Sequence, residues 1–167
     1  MLTDWKKCLA KSAGLLAVLT LVQSFYFTQS ASAQCVPSNF YSNWLQRQED
    51  LGGHTIDRHV GKSDHQLVNR LINAPRISAA STYPDLGTAA TNIQAALRTN
   101  RNKLNSWVLD AAIGEKRAVN YTAREVVGHV ASRPPSLSNI SNSRKLRAVM
   151  KKTAKGDCLL LTSYPAR

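Results

Sequence analysis

Gly52–Lys62, read GGHTIDRHVGK, packs two histidines, two cations and three glycines into eleven residues. Imidazole takes or gives a proton near neutral pH. A guanidinium binds two phosphate oxygens at once through its planar fork. Arg70 lies eleven residues past His59 and can point back toward this segment. Together these types suit proton transfer beside a bound phosphate. No carboxylate or Cys/His grouping reads as a metal site, so no cofactor is expected. His54 is a candidate partner for His59, or else a histidine that stabilises its loop. On a strand, residues five apart would face opposite sides. Lys62 contacts either phosphate or water. His65 and His129 read as surface histidines.

The elements that must position these groups follow from periodicity. The histidine segment reads as a loop or strand. Ser63-Asp64-His65-Gln66 has the spacing of a capping box. The helix it opens carries Leu67, Leu71 and Ile72 on its apolar side and ends near Pro75. Its start presents unpaired amides, which favour a phosphate nearby. Phe40, Tyr41, Trp44 and Leu45 predict a short helix over Asn39–Arg47, ended by Asp50 to Gly53. An extended segment covers Arg76–Tyr83. Asp85 caps a longer helix with Ala89, Ile93, Ala96 and Leu97 at helical steps. Arg98 to Lys103 breaks or continues it, the period resumes at Leu104, and Gly114 stops it. Ala118–Thr122 and Glu125–Ala131 are β-branched and alternating, which predicts strands. A Ser/Asn-rich loop runs from Arg133 to Ser143. Arg144–Lys152 alternates Lys145, Arg147 and Lys151 with Leu146, Ala148 and Met150, and pairs across a turn with Cys158–Tyr164. On that last strand Thr162 and Tyr164 share a face and Ser163 points the other way. Helices first and strands after give an α+β fold, N-terminal helices packed on an antiparallel sheet.

Residues 1–33 read as a Sec-type signal peptide: Lys6, Lys7 and Lys11, an apolar run from Ala13 to Phe27, then Ala31-Ser32-Ala33 for cleavage. The run is too short and too polar at its end for a comfortable membrane span, so no stable insertion is expected after cleavage. Residues 34–167 then form one domain, secreted or periplasmic. Losing Lys6, Lys7, Lys11 and Asp4 lowers the formal charge from +12 to +10. So basic a chain expects a polyanionic partner. Cys35 and Cys158 are the two cysteines left, and an exported protein with an even count favours a disulfide between them.

GGHTIDRHVGKSDHQLVNRL, with Ser81-Thr82-Tyr83 and the closing Thr162-Ser163-Tyr164-Pro165, resembles the bacterial ribonuclease A-like toxin domains at the C-termini of contact-dependent growth inhibition proteins. The similarity runs over roughly residues 50 to 165. It implies a ribonuclease A-like fold with the site in the cleft between helices and sheet. It implies His59, Arg70, Thr162 and Tyr164 as the active residues of an endoribonuclease that needs no metal and ends in a 2′,3′-cyclic phosphate. Lys62, Lys145, Arg147 and Lys151 are the candidate cations for RNA, though the strand bearing the last three reads equally as a solvated face. Thr162 and Tyr164 read otherwise as an ordinary cross-strand pair. A toxin role in bacterial competition follows from the resemblance, with RNA and an immunity protein as partners and a monomer as the working form. The rival class is a non-enzymatic basic exported protein that binds nucleic acid or anionic surfaces.

Overall fold

A computed structural model describes residues 34–167; the expected signal peptide, 1–33, lies outside them. Among these residues, five α-helices, six strands and one 3-10 turn follow in the order α1 (Trp44–Asp50), α2 (Thr55–His59), α3 (Asp64–Asn73), β1 (Ala79–Thr82), α4 (Leu86–Thr99), α5 (Arg101–Asp110), β2 (Lys116–Thr122), β3 (Gly128–Ser132), the 3-10 turn (Leu137–Asn139), β4 (Ile140–Ser143), β5 (Lys145–Lys152) and β6 (Cys158–Ala166). The class is α+β, as the sequence predicts.

The strands make two antiparallel sheets rather than one, in the orders β1-β3-β4 and β2-β5-β6. Each sheet has its own helical cover. Leu67 and Leu71 of α3 pack on Ala80 and Ala131 of the first sheet. Ile93 and Leu97 of α4, with Leu104 and Val108 of α5, pack on Val119, Leu146, Met150 and Leu160 of the second. These side chains are wholly or almost wholly buried, and each Leu, Ile, Val or Met among them stabilises by roughly 1.5–3 kcal/mol relative to exposure. The sheets meet at Gly128, where a Cβ would lie 2.1 Å from the Thr82 carbonyl oxygen of its own sheet and 2.8 Å from Cγ of Pro165 on β6. Only glycine fits there.

Local signals set several boundaries as expected. Ser63 and Gln66 complete the capping box of α3, and Asp85 caps α4 through the Thr88 amide. The disulfide joins Cys35 to Cys158. Other boundaries differ. The first helix begins at Trp44, five residues after Asn39. The histidine segment is the short helix α2, neither loop nor strand. Its amides at Ile56 and Asp57 are each held at 2.9 Å by the Glu49 carboxylate, a tertiary cap that periodicity cannot reveal. Helix α5 ends at Asp110, and Gly114, at φ 85°, serves the turn into β2. Strand β3 starts at Gly128 rather than Glu125. The Ser/Asn-rich loop contains β4, whose weakly β-forming residues become a strand by pairing with β3.

Candidate active site

A cleft of about 830 Å³ opens between α2, α3, β1 and the outer face of β2-β5-β6. His54, His59, Arg70, Thr162 and Tyr164 all line it, as do Lys145 and Arg147. His59 closes α2 and is 8% exposed. Its Nδ1 lies 3.0 Å from the Ser81 carbonyl of β1. A carbonyl only accepts, so Nδ1 carries the proton and Nε2 of the neutral ring is left as an acceptor. Burial, reinforced by the charges of Arg70, His54 and Arg58, pushes the His59 pKa down to about 4, against the opposing pull of the Ser81 bond. The ring is therefore neutral at pH 7. It lies beside Tyr164, with ring centroids 5.2 Å apart and planes tilted by 33°.

Arg70 comes from α3 and donates through Nη1 to the Arg58 carbonyl at 2.9 Å, which ties α3 to the last turn of α2. His54 stands at the other end of α2, its pKa lowered by burial first and by Arg58 next. A helix, not a strand, separates the two histidines, so both reach one cleft. Thr162 and Tyr164 share a face of β6. Ser163 points the opposite way, fully buried, with its hydroxyl 2.8 Å from that of Tyr83. The Thr162 hydroxyl is buried and has no hydrogen-bond partner among the described residues.

Cross-strand register assembles the floor. Asn120, Arg147 and Tyr164 form one row across β2-β5-β6, and Thr122, Lys145 and Ala166 the next. Two cations named from sequence stand elsewhere. Lys151 pairs with Lys116 and Leu159 beyond a bulge in β6, and is not on the cleft. Lys62 lines a separate hollow with Asp57, Arg58, Gln66 and Arg70. Sequence reasoning missed Arg76, Arg167 and Asn120. Arg167 donates to the Ser78 carbonyl at 3.1 Å, which closes the end of the cleft. Arg70, Arg76, Lys145, Arg147 and Arg167 give the lining a strong positive charge, and no Asp or Glu of the described residues joins it. Such a cleft favours a polyanion. No group of three or more His, Cys, Asp or Glu able to hold a metal ion occurs among the described residues.

Comparison with known proteins places this geometry. No curated protein matches the chain at a significant level. A solved structure, the crystal structure of the CdiA-CT/CdiI complex from Y. kristensenii 33638, matches with a TM-score of 0.60 and 28% identity, covering 69% of this chain and 100% of that one. The model of the bacterial CdiA-CT RNAse A domain matches residues 53–165, from Gly53 through Pro165, and the chain belongs to that family.

Proposed function

We propose that this protein is a metal-independent endoribonuclease that cleaves RNA by transphosphorylation to a 2′,3′-cyclic phosphate. One observation carries the reading: a neutral histidine, its Nδ1 held by the Ser81 carbonyl, faces Tyr164 in a cationic cleft free of carboxylate side chains. Nε2 of His59 takes the proton of the 2′-hydroxyl. The freed oxygen attacks phosphorus, and the bond to the 5′-oxygen breaks. Arg70, Arg147 and Lys145 hold the charge that grows on the phosphoryl oxygens, and the Thr162 hydroxyl donates to one of them. The leaving 5′-oxygen needs a proton donor. His54 is a poor one, because its lowered pKa leaves it neutral near pH 7. The Tyr164 hydroxyl takes that role.

We further infer export under the leader 1–33, one domain over 34–167, and a toxin used in bacterial competition. The related structure is a complex with CdiI. That supports an immunity protein for this chain too, since a copy folded in the producer's cytosol would attack its own RNA.

Digestion of RNA in EDTA, with analysis of product ends, tests the chemistry. The wild-type protein should leave 2′,3′-cyclic phosphates. His59→Ala should lose about 10²–10⁴-fold in rate while binding RNA almost as well, because binding rests on several cations and proton transfer is needed only in the transition state. Arg70→Lys should lose much of the rate, a point charge being unable to replace the fork. Tyr164→Phe should lose heavily; a small loss would return His54 to the donor role. Cleavage by His59→Ala near the wild-type rate would overturn the mechanism in favour of a non-enzymatic binder.

A further inference from the structure

Strand β6 does not alternate simply. Leu160 and Ser163 are both fully buried, three residues apart, where strict alternation would put Thr162 beside Leu160 in the core. A bulge at Leu161 shifts the phase: Met150 pairs with Leu160, but Val149 pairs with Thr162. Everything that Thr162 and Tyr164 present to the cleft depends on that one extra residue. A slip that erased it would turn Thr162 to the other face.

β6 also ends the order β2-β5-β6, so no strand of that sheet covers its outer side. The segment 48–55 takes its backbone groups instead. The Leu160 amide donates to Oε1 of Gln48 at 2.8 Å. The Leu161 carbonyl accepts from the His54 amide at 3.0 Å. The Ser163 amide donates to Oγ1 of Thr55 at 2.9 Å, and Thr55 is 1% exposed. Gly53 allows the approach, since a Cβ there would lie 2.7 Å from the carbonyl oxygens of both Gln48 and Leu160. The three bonds bracket the bulge. They come from the same segment that leads into α2 and His59, whose first amides Glu49 holds.

We propose that Gln48 and Thr55 are positioning residues: their side chains clamp the bulged edge of β6 and so keep Thr162 and Tyr164 turned toward His59. Neither side chain lines the cleft. Both act through the backbone of β6, joining the strand that carries two site residues to the helix that carries the third. This inference rests on the ribonuclease reading above.

The test measures RNA cleavage by Gln48→Met and Thr55→Val, which keep size but cannot accept the amide protons, and by Gln48→Glu and Thr55→Ser, which can. Each is made in the wild-type and in the Thr162→Val, Tyr164→Phe background and assayed well below its melting temperature. Gln48→Met and Thr55→Val should lower kcat by about 10–100-fold, the scale of a displacement near 1 Å, and leave KM nearly unchanged. Gln48→Glu and Thr55→Ser should restore kcat to within about threefold. In the Thr162→Val, Tyr164→Phe background, Gln48→Met should cost less than about threefold, because the hydroxyls it positions are already gone. An equal fold-loss in both backgrounds, or a loss in KM rather than kcat, overturns the clamp while leaving the ribonuclease reading intact. A wild-type protein that does not cleave RNA overturns both.

Discussion

At His59 deep burial keeps the ring neutral against the pull of the Ser81 hydrogen bond, which sets the tautomer, and the same burial makes the residue sensitive to acid. Its pKa is near 4 in the folded protein against an ordinary 6.5. Between those values the unfolded chain binds a proton that the folded one refuses, so stability falls as pH drops from about 6.5 to about 4, then levels off where both states are protonated. The loss from this residue is about 3 kcal/mol. His59→Asn removes the titrating group, so its melting temperature should fall less between pH 7 and pH 4 than that of the wild-type protein. Equal falls would show that His59 is not held neutral by the fold. Four candidate site residues were legible at this scale through the family resemblance, and His59, Arg70, Thr162 and Tyr164 line one cleft. Arg76 and Arg167 were not, since a lone arginine carries no spacing signal and reaches the cleft only once β1 and the chain end have been placed.

Among the elements, β5 carries the clearest sequence pattern, and the structure divides its cations. Lys145 and Arg147 sit on the cleft rows with Thr122, Asn120 and Tyr164, whereas Lys151 lies past the bulge. If RNA follows the cleft, activity should fall steeply with salt, because each phosphate contact releases counterions. Lys145→Glu with Arg147→Glu should flatten the log–log salt slope of kcat/KM by about 1.4, from two contacts at roughly 0.7 each on a single strand. Lys151→Glu should leave that slope unchanged. Flattening by Lys151→Glu as great as by the pair would mean that the whole face attracts RNA diffusely. Legibility varies among elements for a physical reason. Helices α3 and α4 announce themselves through Ser63 and Asp85, whose side chains bond within their own first turns. Helix α2 has five residues and is capped by Glu49 from another helix, and β4 exists through its partner strand; neither leaves a periodic trace. The bulge at Leu161 is likewise a tertiary feature, so alternation foretells that Thr162 and Tyr164 share a face but not which face is the cleft.

At the scale of the whole molecule, two sheets with separate helical covers must stay in register for β1 to hold His59 and β6 to present Tyr164. Close contacts join the sheets, as at Gly128 against Pro165. The disulfide adds a constraint from the far end of β6. Cys35 is 2% exposed, and its amide and that of Val36 both donate to Asn105 Oδ1 of α5 at 3.0 Å, so the crosslink ties the start of the described chain to the helical cover and the edge strand together. Joining residues 123 apart in sequence removes entropy from the unfolded chain worth on the order of 5 kcal/mol in the loop-closure account. For a chain of this size a loss of that order lowers the melting temperature by about 10–20 °C. A thermal melt with and without reductant measures it, and Cys35→Ser with Cys158→Ser should reproduce the reduced value. A shift of less than about 3 °C would mean that the core alone holds β6 in place. A shift of the expected size would leave the reduced protein far less stable than the oxidised one, so a reducing compartment would hold a smaller folded fraction of the chain than an oxidising one.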